Sequence, residues 1–305
     1  MEFRDIKYVL MVAEEKSFSN AAQRLFITQP SLSQSIARIE ESLGVRLFDR
    51  SRKPLMLTFA GKQFLEMSYQ ILNYEKQLHK KMKDIADLKS GNITVGISQF
   101  RGKYFFPKVL PVFYDKYPGI TVSIYENNAS KLESAVLTGD IDFCVEILPV
   151  KNNDLTYSLI NKERHLIVLP RDHPVNNKYR VNDSVDSYPS INLVDLQNES
   201  FIYLLPDSQS RIQLTNFFKK QKFTPKAIIE VRSMETAHAL AVAGIGVAFV
   251  SEVIIPYCNP EFRGKYYILN GCVPDQLQVG FVYRKNAYLS KDVFSFFSTV
   301  KNIYR

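Results

Sequence analysis

The stretch "SFSNAAQRLFITQPSLSQSIARIE", Ser17 to Glu40, sets two short helical patterns against each other across a tight turn. In the first, Ala21, Ala22 and Leu25 form the inward set, and the Ala pair lets another helix approach closely. Ser19 reads as its N-cap. Thr28 caps the second, with Pro30 in its first turn, and Leu32, Ile36, Ile39 and Leu43 recur at i, i+4, i+7 and i+11. Gly44 supplies the C′ stop. Ahead of both, "FRDIKYVLMVAEE" gathers Phe3, Ile6, Val9, Leu10 and Ala13 on one helical face.

At about 100° per residue, the arc opposite the Leu32 stripe carries Pro30, Gln34, Ala37 and Glu41, flanked by Ser33 and Arg38. The early exposed positions are small or amide-bearing, and the acids Glu40 and Glu41 wait until the last turn. Gln pairs bidentately with adenine and Ser with either partner of a base pair, so such a face suits base edges better than water. Next, "VRLFDRSRKPLMLTFAG" predicts two short strands about a basic turn, Arg50 to Pro54. The segment 46–53 holds Arg46, Arg50, Arg52 and Lys53 against one acid, Asp49. Two helices at a tight turn followed by a basic hairpin predict a winged helix-turn-helix over residues 1–58 that binds double-stranded DNA. Its candidate contacts are Gln29, Ser31, Ser33, Gln34 and Arg38 on the third helix and Arg50, Arg52 and Lys53 on the wing. Ser19, Thr28, Pro30 and Thr58, at or beside helix starts, complete the set.

Residues 59–89 predict one long helix, with Phe64, Leu65, Ile71, Leu72, Leu78, Met82 and Ile85 recurring. Leu65, Ile71, Leu72 and Leu78 have nothing else in sequence to bury them, which predicts a dimer and, from its two-fold axis, an inverted-repeat operator. "KSGN" at 89–92 reads as a linker. Beyond it strands alternate with helices: "NITVGIS", "FFPKVLPVFYDKY", "ITVSIYE", "SKLESAVLTG", "IDFCVEI". A second such unit begins at "HLIVLP", and "LQVGFVYR" with the final helix returns to the first. That alternation predicts a mostly parallel α/β sheet.

Other chemistry finds little support. No apolar run approaches the roughly 18 residues of a membrane span, and charges from the second residue argue against a secretory leader. Cys144, Cys258 and Cys272 are few and odd in number, which suits a reducing cytoplasm. The four histidines show no ligand spacing, no nucleophile motif appears, and "AGIGVAF" lacks the third glycine of a dinucleotide loop. The expectation is therefore neither an enzyme nor a cofactor or metal protein. The net charge of +8 favours an anionic partner.

The residues "SFSNAAQRLFITQPSLSQSIARIEESLGVRLFDR" and "LTFAG" resemble the LysR-type transcriptional regulators. The family pattern appears as Ser17-Phe18, Ala21-Ala22, Gln29-Pro30, Ser33, Leu43-Gly44, Leu47-Phe48 with Arg50, and Leu57-Thr58. Weaker matches are Tyr117-Pro118, Gly139 with Asp142, His173-Pro174, and Gly244 with Gly246. The chain departs where the family often has Pro after "GVAFV", since Ser251 stands there, and it lacks the close cysteine pair of peroxide-sensing members. The resemblance implies a linker-dimerised homotetramer, contact with RNA polymerase, and a two-subdomain effector domain over 90–305 like a type 2 periplasmic binding protein. Its halves would be 90–162 with 268–305, and 163–267, with a small-molecule effector between them.

In open α/β sheets ligands sit beyond the carboxyl ends of strands, near helix N-termini whose free N–H groups suit an anion. The first strand of this domain ends at Ser98. Ser98, Gln99, Phe100 and Arg101 therefore become candidate effector contacts, with Asn128 at the next strand end and Pro206, Ser208 and Thr236 across the cleft. The expected effector is a small carboxylate. The alternatives are a constitutive DNA-binding regulator whose C-terminal domain only oligomerises, or a cytoplasmic solute-binding protein.

Overall fold

Helices α1 (Phe3–Glu15), α2 (Phe18–Arg24) and α3 (Gln29–Leu43) close around Val9, Val12, Ala21, Ala22, Leu32 and Ile36, all but buried. This is a computed structural model that describes residues 2–51, 54–85, 91–179, 188–206, 208–259, 263–271 and 277–304. Arg52, Lys53, Cys272 and residues 86–90 lie outside the described residues. The chain divides into two compact units, Met1–Asp87 and Leu88–Arg305.

In the first unit, strands β1 (Phe48–Asp49) and β2 (Met56–Leu57) pair antiparallel as the wing. Helix α4 (Phe59–Ile85) follows, capped by Thr58, whose hydroxyl accepts from the Gly61 N–H at 3.0 Å and donates to the Arg46 carbonyl at 2.7 Å. Gly61 lets this helix press onto the hairpin, because a Cβ there would stand 2.0 Å from the Leu47 carbonyl oxygen. Phe64 and Leu65 pack on the core of the same unit, so Leu65 is not part of an unpartnered seam. Phe59, Met67, Tyr74, Leu78 and Met82 remain exposed.

The second unit holds two sheets. The first takes β3 (Gly91–Ile97), β4 (Ile120–Glu126), β5 (Phe143–Ile147) and β6 (Leu155–Glu163), with helices α5 (Gln99–Lys116) and α6 (Ala129–Thr138) between them. Gly91 and Asn92, expected in a linker, already pair with Ile120 and Thr121. The second sheet takes β7 (His165–Leu169), β8 (Ser190–Ile191), β9 (Ser200–Leu204), β10 (Lys226–Val231), β11 (Val247–Ser251) and β12 (Lys265–Leu269). Helices α7 (Gln209–Lys220) and α8 (Met234–Val242) pack beside it. The chain then returns, with β13 (Leu277–Arg284) between β5 and β6, and α9 (Lys291–Ile303) placing Phe296 and Val300 in the first core.

The sheets are mostly parallel, as the alternation predicts, with one antiparallel strand in each. β13 runs antiparallel to β5 and β6, and β7 antiparallel to β11 and β12. Both antiparallel intruders are strands that arrive from the other sheet, so they enter against the βαβ direction. Ile268 and Leu269, expected in the first half, pair with Ser190 and Ile191 in the second sheet. One residue, Arg164, separates the end of β6 from the start of β7. It is held by Glu252, which accepts from its N–H at 2.7 Å and its Nε at 2.8 Å. No helix among the described residues is long and apolar enough to cross a membrane.

Candidate functional site

On α3 the sequence acts locally and the boundaries follow from it. Thr28 Oγ1 accepts from the Ser31 N–H at 3.3 Å, and Gly44 ends the helix at φ +70°. Leu32, Ile36 and Ile39 are buried, which turns Gln29, Pro30, Ser31, Gln34, Ala37 and Arg38 to solvent. Ser33 is half-buried. Ser19 is an exposed residue inside α2, and the cap is Ser17, whose Oγ accepts from the Asn20 N–H at 3.4 Å. Phe18 opens the helix, and its ring meets Phe48 edge-on at 5.8 Å. Phe26, in the turn between α2 and α3, has φ +55° and is 95% exposed.

Glu40 is not an exposed acid of the last turn. It is buried, and its carboxylate accepts from the Leu47 N–H at 2.7 Å, the Phe48 N–H at 3.2 Å and Arg50 Nη2 at 3.2 Å. Arg50 also lies over the Phe18 ring at 5.2 Å. Its guanidinium thus fastens the wing to α3 while remaining partly exposed. Thr58 is engaged at the start of α4.

In the second unit, a cleft of about 1080 Å³ is lined by Ser98, Gln99, Phe100, Arg101 and Asn128, as expected, and by Ser208 across from them. Four helices begin at it. Ser98 caps α5 by accepting from the Arg101 N–H at 3.3 Å, Asn128 caps α6 by accepting from the Lys131 N–H at 3.2 Å, and Ser233 caps α8 by accepting from the Thr236 N–H at 3.3 Å. Ser208 stands at the cap of α7 without using its side chain there. Aligned peptide dipoles give each start a partial positive charge and unpaired N–H groups. Two expected residues do not line the cleft. Thr236 is a turn inside α8, and Pro206 is exposed ahead of the α7 cap.

The cations are largely paired. Arg101 makes two hydrogen bonds of 2.9 Å to Glu163, so its fork is already occupied. Burial opposes the charge on both partners, yet their mutual attraction raises the Arg101 pKa and lowers that of Glu163. Lys103 donates to Glu235 at 3.0 Å, and Glu235 also accepts from Tyr104 and Ser233. Lys131 and Arg232 line the cleft as exposed residues.

Sequence reasoning missed Glu146, His165, Lys131 and Arg232. Glu146, on β5, is buried to 6% exposure; burial pushes its pKa up to about 7 against the opposing pull of Arg101. His165, at the start of β7, is 8% exposed; burial lowers its pKa to about 4, against Glu163. A charged residue inside the apolar strand "FCVEI" was the available signal for Glu146. Cys144 is fully buried, with its pKa pushed well above the ordinary thiol value by burial and by Glu146. Among the described residues no cluster of His, Cys, Asp or Glu could hold a metal ion.

The pattern of the bacterial regulatory helix-turn-helix proteins of the lysR family matches residues 3–62, and that of the LysR substrate binding domain matches residues 86–303. A probable RuBisCO transcriptional regulator of Trieres chinensis is 32% identical over 259 residues, covering 83% of this chain and 81% of that one. The regulator BenM of Acinetobacter baylyi is 28% identical over 313 residues, covering 100% and 96%. Among solved structures, a full-length OxyR variant from Pseudomonas aeruginosa aligns with a TM-score of 0.73 at 22% identity, over 99% of this chain and 95% of that one. Full-length CbnR complexed with its target DNA aligns with a TM-score of 0.64 at 22% identity, over 99% and 100%. A helix-turn-helix with a wing, a long helix and a two-sheet domain with a cleft at four helix starts thus occur in one matched order, and the chain belongs to the LysR family of DNA-binding transcriptional regulators.

Proposed function

We infer that this regulator sets Gln29, Ser31, Ser33, Gln34 and Arg38 against the major groove, or its walls, of an inverted-repeat operator, and steadies itself on phosphate through the wing. It assembles through α4 as a homodimer or homotetramer in the cytoplasm, and contacts RNA polymerase as a member of its family. Its DNA binding or activation changes when a small organic carboxylate lodges in the cleft of the second unit. The observation that carries the effector reading is the meeting of four helix N-termini, α5, α6, α7 and α8, at one cleft. Unpaired N–H groups and partial positive charge at each start favour an anion. Ser98, Gln99, Asn128 and Ser208 add hydroxyl and amide donors. Arg101 contributes by holding Glu163 and leaves the anion to the helix starts.

The test has two arms. Sequencing the fragments that the purified protein retains from a random DNA pool gives the operator, which this reading expects to be an inverted repeat. Small mono- and dicarboxylic acids are then screened for a rise in melting temperature and for a change in affinity for that operator. A carboxylate that does both supports the reading. If none raises the melting temperature, the C-terminal unit is not a carboxylate receptor, and the constitutive regulator is the better description.

A further inference from the structure

The cleft contains two side chains that a plain carboxylate leaves unanswered. Glu146 Oε1 and His165 Nδ1 are both buried without a hydrogen-bond partner, and both residues line the cleft, together with the four helix starts. A buried acceptor without a donor is costly, and a binding site is where such a group is completed from outside. Arg101, the cation whose charge acts on Glu146, is already held by two hydrogen bonds to Glu163. The charges around the cleft also balance. Arg101 pairs with Glu163 and Lys103 with Glu235, while exposed Lys131 and Arg232 stand against exposed Glu126 and buried Glu146. A cleft with positive helix ends, a lone buried carboxyl and little net charge fits a ligand that carries both signs.

Resting on the carboxylate reading above, we propose that the effector is an amino carboxylate. Its carboxylate lies at the helix starts, its ammonium donates to Glu146 Oε1, and the neutral His165 ring accepts a second N–H at Nδ1. A plain carboxylate satisfies only the first of these and leaves the two buried acceptors bare. The groups acting on Glu146 are Arg101 from α5, the Ile147 backbone N–H on its own strand and Glu133 from α6, and Oε1 is left without a hydrogen bond. None of them supplies the missing donor.

The test uses the full chain and titration calorimetry. The probes are the twenty standard amino acids, β-alanine and γ-aminobutyrate, each against its desamino acid. At least one amino carboxylate should bind, with its desamino acid weaker by roughly ten-fold or more, the range for a lost hydrogen bond to a charged group. Glu146→Gln keeps the shape and removes the charge. It should weaken the amino carboxylate by a similar factor and bring it level with the desamino acid. A second readout needs no variant. Burial raises the Glu146 carboxyl toward neutral pH, so an ammonium that fixes it as carboxylate should expel part of a proton on binding below about pH 7, seen as a buffer-dependent heat. Desamino acids that bind the parent as well as their amino partners would overturn this proposal and leave the carboxylate reading standing. If neither class binds, both readings fall.

Discussion

Arg101 and Glu163, 62 residues apart in sequence, meet through two hydrogen bonds of 2.9 Å where the chain passes from the first sheet to the second. Both side chains are nearly buried, at 12% and 2% exposure. Such a pair contributes little net stability compared with apolar residues of the same shape, but removing one partner strands the other charge. Arg101→Met should therefore destabilise the second unit by about 3–5 kcal/mol. The double change with Glu163→Leu should recover most of that loss. Denaturant melts of the full chain, followed by a probe in the second unit, measure both.

Glu146 and His165 should give that unit opposed pH dependences. The unfolded imidazole binds a proton near pH 6.5 and the folded one near 4, so His165 removes stability as pH falls from about 6.5 to about 4. The folded Glu146 carboxyl keeps its proton up to about pH 7, while the unfolded one loses it near 4.5. Glu146 therefore removes stability as pH rises through that window. Arg101, the Ile147 N–H and Glu133 act on Glu146, and Glu163 and Arg101 act on His165, all within these shifts. Glu163, with its pKa lowered, contributes stability that is lost only as pH falls below the ordinary carboxyl range. The contributions of these two groups should largely cancel between pH 4.5 and 6.5. Glu146→Gln should lose roughly 3 kcal/mol on acidification across it, and His165→Gln should lose a similar amount on alkalinisation. Parallel profiles for the two variants would contradict the assignment.

These groups mark the boundary of what the sequence discloses. The caps and stops of α3 were legible because Thr28, Pro30 and Gly44 act within three or four residues of their own backbone. Glu40 was misread because its partners, the Leu47 and Phe48 amides and Arg50, lie in a hairpin that periodicity alone does not fold back. Ser98, Asn128 and Ser208 line the cleft, where the rule that ligands gather beyond strand ends had put them. Thr236 and Pro206 failed because that rule has no resolution below one helical turn. Glu146 and His165 sit on strands of otherwise apolar residues, and only the sheet topology brings them to one cleft.

The Glu40 contacts predict a structural lesion that resembles a binding defect. Glu40→Ala leaves two buried amides without acceptors and frees Arg50. A loss of about 2–4 kcal/mol is expected for the first unit, with the wing loosened and affinity lowered for every DNA sequence alike. Glu40→Gln should recover part of the stability through its remaining oxygen. Circular dichroism melts and filter binding to operator and random DNA check this; unchanged stability in Glu40→Ala would contradict it.

The exposed side of α4 predicts the oligomer. Met67, Tyr74, Leu78 and Met82 recur at helical spacing and stay exposed within the unit. Leu78→Asp with Met82→Asp places charge in the C-terminal half of that seam and should yield monomers. A monomer grips one half-site, so operator affinity should fall by orders of magnitude while the melting of the first unit changes little. Light scattering that finds the oligomer intact would assign the self-association to another surface.

Gln34 offers the sharpest test of base reading. It lies one turn into α3, exposed, on the side opposite the buried Leu32 and Ile36. Its amide offers a donor and an acceptor side by side, the arrangement that matches the major-groove edge of adenine. Arg38 is farther along the helix and touches Ser35 Oγ at 3.2 Å, so it is the better placed of the two for phosphate. Gln34→Ala should then cost about 1–3 kcal/mol on the parent operator and relax the preference at one base position in each half-site, leaving random-sequence affinity and its salt slope unchanged. Arg38→Ala should instead weaken all sequences and reduce the salt slope by about one. Binding titrations at several salt concentrations against operators with each base replaced in turn separate the two. If Gln34→Ala retained its discrimination at every position, the specificity would have to come from Gln29, Ser31 or Ser33 on the preceding turn.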